Sequence, residues 1–207
     1  IKIHDPMDDV AAGSNEAVAL SIRQALEKGS FRLRYQPLMS LRDDGEQIFE
    51  VFVHMPQKQG DDLAAAAFMP VAADQGMAGK VDRWVVLNAM RAAAAHEEKV
   101  TLLVNLSGYS LGEPGLAEWL SKAMRAARLS GEQVIFQFSE GDTVNYLKQS
   151  GVFAQAMRKQ GCGLSISRFG GSLDPFKLFE HIPATMVKFE GSFTQELGKS
   201  ESRERFA

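Results

Sequence analysis

At 207 residues, with 45% hydrophobic and 24% charged side chains, the chain is long enough to fill one globular core and too apolar to be disordered throughout. A net charge of −3 with scattered Lys and Arg gives no basic stripe of the kind that neutralises a polynucleotide backbone, which argues against DNA and leaves small anionic ligands open. The single cysteine, Cys162, sits between two glycines without the electropositive neighbours of a nucleophile, has no disulfide partner and fits a reducing cytoplasm, and no apolar run approaches the roughly 20 residues of a membrane span.

Residues 1–13 are polar, contain Pro6 and Gly13, and show neither a signal-peptide pattern nor an initiator methionine. They read as a linker from a preceding module, in a piece of something longer, with residues 14–207 as the following domain. Ser14 or Asn15 is placed to cap a helix whose apolar face carries Val18, Ile22, Ala25 and Leu26, and Gly29 ends it. Residues 31–36 alternate apolar and polar side chains, the period of a half-buried strand.

Short apolar runs then alternate with helical patterns: strand 48–53, helix 81–95, strand 101–106, helix 116–127 and strand 133–138. Helix 143–159, strand 164–167, a short helix 176–180 and strand 185–189 follow. Strands separated by helices predict an α/β fold with a largely parallel sheet covered on both faces, and a barrel is the favoured form. A barrel of eight units needs about 250 residues, and roughly six units plus a leading strand are visible, so the domain is expected to be C-terminally incomplete. Residues 200–206 read as the start of a further helix. Barrel sites gather at the carboxyl ends of the strands, so Glu50, Asn105, Gln137, Ser167, Arg168 and Lys188 are expected at one mouth.

Several short motifs occur in a specific order. Tyr35-Gln36-Pro37-Leu38 is followed by Glu50-Val51-Phe52, then by Phe68-Met69-Pro70-Val71-Ala72 with Gly76, by Val81-Asp82-Arg83-Trp84-Val85, and by Val104-Asn105-Leu106-Ser107. In this order they resemble the landmarks of the EAL-domain family, which cleaves the bacterial second messenger cyclic di-GMP; the likeness runs from Phe31 to Phe193. It implies a TIM-like (β/α)8 barrel of EAL type in which a pair of divalent ions activates water for phosphodiester cleavage. Such hard cations need oxygen ligands, chiefly carboxylates.

Compared with that family's pattern, Glu50, Asn105 and Lys188 survive. Gln137 stands where a glutamate ligand is expected, and Ser167 with Arg168 replaces a pair of aspartates in Gly163-Leu164-Ser165-Ile166-Ser167-Arg168-Phe169-Gly170-Gly171. Three negative charges are lost, and Arg168 adds repulsion of about 4 kcal/mol per unit charge at 4 Å with an effective dielectric near 20. His54 departs from an arginine that usually contacts phosphate. The altered signature and lost aspartates look like the FimX-like receptor subgroup. That resemblance implies a catalytically inactive receptor that binds cyclic di-GMP, needs no cofactor or metal, and acts in type IV pilus regulation. Its implied partners are a PilZ-domain protein and, through it, a pilus assembly ATPase.

The implied nucleotide contacts are Gln36, Glu50, Phe52, Met69, Pro70, Asp82 and Asn105. Gln36 has a donor and an acceptor for a base or sugar edge, Phe52 an aromatic face for stacking, and Asp82 an acceptor for a guanine or ribose donor. Each also suits a plainer role: Phe52 in the core, Asp82 as a first-turn carboxylate, Met69 and Pro70 as packing residues, and Glu50 in a salt bridge with Arg168. Alternatively, Arg168 fills the vacated cation space facing a phosphate. Two other functions compete: a weak phosphodiesterase with one metal on Glu50, Asn105 and Glu140, and a nucleotide-free scaffold. The four histidines lack zinc-ligand spacing, and Gly170-Gly171 lacks a Rossmann or P-loop pattern.

Overall fold

The computed structural model describes residues 6–41, 46–57, 60–189 and 191. Helix α1 (Pro6–Lys28) begins earlier than a cap at Ser14 or Asn15 would place it, and residues 6–13 are helical rather than open coil. Proline suits a first helical position, because its fixed φ is already helical and its missing N–H would go unused there. Ala19, Ile22 and Ala25 are buried on one face of α1. At Gly29, φ is +62°, and the following Ser30 N–H returns to the Ala25 carbonyl at 3.0 Å, which closes the helix end.

The chain then forms strands β1 (Arg32–Leu38), β2 (Ile48–Met55) and the two-residue β3 (Leu63–Ala64). Helices α2 (Ala65–Asp74) and α3 (Ala78–Ala95) lead to β4 (Thr101–Asn105), α4 (Gly108–Gly112) and α5 (Leu116–Ala127). Next come β5 (Val134–Ser139), α6 (Glu140–Asn145), α7 (Leu147–Arg158), β6 (Gly163–Phe169) and β7 (Met186–Phe189). Short 3-10 turns cover Gly131–Gln133 and Pro175–Glu180.

The sheet runs β1-β2-β4-β5-β6-β7, with β3 on the end of β2. β1 and β3 are antiparallel to β2, and every other pairing is parallel. Among the described residues there are therefore five parallel strands rather than the six units read from the sequence, and the helix expected at 200–206 lies outside them. Alternate strand residues such as Val51, Leu102, Val104, Phe136, Leu164 and Ile166 join one buried cluster with the helices. Strands covered in this way read as near-continuous apolar runs because a helix covers what would otherwise be a wet face.

Two helices differ from expectation. Residues 65–74 are helical although Pro70 sits inside; the ring lies on an exposed position, and buried Phe68, Val71 and Ala72 fix the other side. The single helix expected over 143–159 is two, because Ser139 caps a turn starting at Glu140 and Tyr146, at φ −117° and ψ 37°, leaves helical geometry.

The turn before β5 is pressed against the end of α7, so that a Cβ at Gly131 would run into the Gln160 carbonyl oxygen. Backbone cannot rotate away as a side chain can, and overpacking of this kind costs about 1–3 kcal/mol. Gly131→Ala is expected to lower the urea midpoint accordingly; an unchanged midpoint would show that this contact is not present in solution.

Candidate functional site

Register lines up polar residues in layers. Asn105 lies beside Gln137 and Gln137 beside Ser165; one layer further along, Ser139 lies beside Ser167 and Ser167 beside Lys188. These positions fall at or near the carboxyl ends of their strands, where barrel sites are built. They surround Glu50, which is 2% exposed and is reached by three hydrogen-bond donors.

Asn105 Nδ2 donates to Glu50 Oε1 at 3.2 Å and Gln137 Nε2 donates to the same oxygen at 3.1 Å. Lys188 Nζ reaches both oxygens, at 3.0 and 2.7 Å. The amides are themselves oriented: Gln137 Nε2 also donates to Asn105 Oδ1 at 2.6 Å, while Ser165 Oγ donates to Gln137 Oε1 at 2.8 Å. A buried carboxylate thus has an ammonium and two fixed amides, the pairing that burial of a charge demands. Lys188 Nζ also lies 5.7 Å from the centroid of the Phe52 ring.

A cavity of about 620 Å³ opens over this cluster, within the range of about 300–1,000 Å³ common for small-molecule sites. Glu50, Phe52, Asn105, Gln137, Ser167, Arg168 and Lys188 are all on its wall, as are His54, Met69, Asp82, Ser107 and Asp142. The start of α2 contributes Ala64 to Ala66, with no side chain capping that helix. His54 Nδ1 is buried without a hydrogen-bond partner among the described residues.

Asp82 is neither a surface nor a first-turn carboxylate. It is 5% exposed on α3, and its Oδ2 accepts from Ser107 N at 2.9 Å, Ser107 Oγ at 2.6 Å and Ser110 Oγ at 2.6 Å. Burial raises its pKa despite these hydrogen bonds and with a small addition from Glu113. The residue fastens α3 to the loop that follows β4.

The Glu50–Arg168 salt bridge considered from sequence does not form; Lys188 takes that place, and Arg168 is exposed on the cavity wall. Strand register slips between Ser167 and Phe169, and Arg168 is the bulged residue, at φ +54°. Nor does Glu140 join Glu50 and Asn105. It sits at the start of α6 and clasps the loop after β6, accepting from the N–H groups of Gly170 at 2.6 Å, Gly171 at 3.1 Å and Ser172 at 2.9 Å. Burial acts to raise its pKa, but the hydrogen bonds from Ser172, Gly170 and Gly171 prevail and hold it low.

Of the seven residues proposed for the nucleotide, Glu50, Phe52, Met69, Asp82 and Asn105 line the cavity; Gln36 and Pro70 do not. Gln36 is exposed on β1 directly across from Glu50, so both side chains leave the same sheet face. Sequence reasoning missed Ser107 and Ser110 as anchors of Asp82, the clasp made by Glu140, and Asp142 on the wall. The last had a readable signal, since Ser139 followed three residues later by an acid is an N-terminal cap pattern; Ser139 Oγ accepts from Asp142 N at 3.0 Å and donates to Asp142 Oδ2 at 2.7 Å.

The donor set does not fit a pair of divalent ions. Glu50 is met by hydrogen-bond donors where a metal pair needs further oxygen ligands, and among the described residues no three His, Cys, Asp or Glu side chains are grouped to hold a metal. Cys162 offers no alternative chemistry, since it is buried and its thiol is pushed up to about 11 by burial. No helix among the described residues is long and apolar enough to cross a membrane.

The model of the EAL domain family matches residues 19–207. Among solved structures, the FimX EAL domain from Pseudomonas aeruginosa bound to c-di-GMP superposes with a TM-score of 0.86 at 41% identity, covering 91% of this chain and 77% of that one. The Xanthomonas citri FimX EAL domain in complex with c-diGMP gives 0.84 at 24% identity, over 95% and 78%, and supports the fold alone. The cyclic di-GMP phosphodiesterase PdeF of Escherichia coli K12 is 25% identical over 179 residues, covering 85% of this chain. PdeB of Shewanella oneidensis MR-1, another cyclic di-GMP phosphodiesterase, is 25% identical over 203 residues, or 95% of it. The chain spans about a quarter of the length of these curated relatives, 24% of each. The architecture is the TIM-like α/β fold of EAL domains.

The two buried carboxylates titrate with opposite sign. Glu140, held below the ordinary 4.5, gives stability that is present above that value and is lost as pH falls through its lowered pKa. Glu140→Gln is therefore expected to cost about 2 kcal/mol near neutrality, at the lower end for charged hydrogen bonds, with the gap to wild type closing in acid. Asp82, raised above the ordinary 3.8, makes the folded state the tighter proton binder, so wild-type stability relative to Asp82→Asn falls as pH rises through the raised pKa. Urea unfolding of both variants across the acid range checks the two slopes; equal slopes would refute the assignment.

Proposed function

The chain belongs to the EAL domain family, and on that premise we propose that it is a catalytically inactive cyclic di-GMP receptor domain that signals through protein partners. One observation carries this reading: the cavity keeps Phe52, Asp82 and Asn105 on its wall, while the carboxylate at its floor is held by Lys188 and two amides. Such a site offers an aromatic face, acceptors and cations to a cyclic dinucleotide without calling for a metal or any other cofactor. The 41% identity to a FimX EAL domain solved with c-di-GMP supports the same ligand. By that likeness, the proposed partners are a PilZ-domain protein and, through it, a pilus assembly ATPase in type IV pilus regulation.

A second reading, a weak metal-dependent phosphodiesterase, is favoured by the retained Glu50 and Asn105 and by the phosphodiesterase relatives. It must draw Glu50 away from Lys188 before a cation can reach the carboxylate. Calorimetry with cyclic di-GMP and a chelator separates the readings from a scaffold, and chromatography after long incubation with magnesium or manganese separates them from each other. Binding heat with intact cyclic ligand is expected. Linear product accumulating under metal would establish the enzyme instead, and no heat at high protein concentration would leave only the scaffold.

A further inference from the structure

We propose that Arg168 is the phosphate-binding cation of this cavity, held there by a backbone conformation that stability alone would give to glycine. The inference rests on the receptor reading and adds to it the group that meets the ligand's phosphodiester.

Two basic side chains longer than histidine stand on the wall, Lys188 and Arg168. The first is engaged by both oxygens of Glu50, at 2.7 and 3.0 Å. Arg168 makes no ion pair or side-chain hydrogen bond among the described residues and is exposed to the cavity mouth. The carboxylates nearby do not compete for it on equal terms, because Glu50, Asp82 and Asp142 each already accept from protein donors. A guanidinium left free beside a cavity suits a phosphate oxygen pair, which its planar fork can grip with two parallel hydrogen bonds.

The backbone gives an independent argument. Arg168 is bulged out of β6 at φ +54°, a left-handed conformation that a long side chain disfavours and glycine adopts freely. Both sides of the bulge are fixed: Ser167 stays paired with Lys188, Phe169 is buried, and Glu140 clasps the next two N–H groups. A bulge next to a site re-aims one side chain, and here that side chain is the unpaired cation. The other arginine at positive φ, Arg128 at +58°, closes the C-terminal end of α5, where that conformation is a helix cap; Arg168 ends no helix, and its strain falls where a free charge meets a cavity.

The test is Arg168→Gly, with Arg168→Lys beside it, titrated with cyclic di-GMP by calorimetry in chelator. Arg168→Gly is expected to raise the urea midpoint, by relieving the left-handed conformation, and to weaken binding by about tenfold or more, with Arg168→Lys in between. Raising the salt concentration should loosen the wild type more steeply than Arg168→Gly. A wild type that binds while Arg168→Gly binds within about twofold of it would overturn this inference and leave the receptor reading standing. A wild type that does not bind at all would overturn both.

Discussion

The contact between Glu50 and Lys188 sets the character of this domain. A carboxylate 2% exposed at the floor of a cavity is tolerable only with a charge partner and with its remaining lone pairs met, and here one ammonium and two amides do both. Lys188 is itself exposed at the cavity, so it is loss of the lysine, and not of Glu50, that would leave a buried charge uncompensated. The floor therefore has an internal cation supplied by the chain. In a metal-dependent relative the same carboxylate would have to face an ion, and the surrounding groups would have to be oxygens; Gln137 turns an N–H toward it instead.

That arrangement ties the strands together at this level through the protein's own groups. Register puts Asn105, Gln137 and Ser165 side by side, and the amide of Gln137 joins its neighbours through a donor and an acceptor that a carboxylate does not have at once. Ser167 contributes a small hydroxyl whose contact is to the Phe138 carbonyl at 3.4 Å. The layer is closed by hydrogen bonds within the protein.

Much of this was legible in the chain. The parallel α/β order follows from apolar runs spaced by helical periods, and the convergence of Glu50, Asn105, Gln137, Ser167, Arg168 and Lys188 follows from their places at strand ends. What escaped depended on partners distant in sequence. Whether Glu50 pairs with Lys188 or Arg168 is decided by a bulge that turns one side chain away, and nothing local to Ser167-Arg168-Phe169 announces it. Glu140 looked like a ligand because it is acidic and close to Gln137, yet an acid at the start of a helix can equally cap a neighbouring loop. The helix at 65–74 was not read from the sequence, and Pro70 stands inside it at an exposed position.

The clasp at Glu140 links these features into one mechanical unit. It fixes Gly170, Gly171 and Ser172, which follow the bulge, while the bulged strand is anchored on its other side by Ser167 beside Lys188. Arg168 is therefore suspended between two fixed points, one of which is the strand that supplies the cation for Glu50. The bulge that carries Arg168 and the lysine that meets Glu50 therefore sit on adjacent strands, joined at the pairing of Ser167 with Lys188.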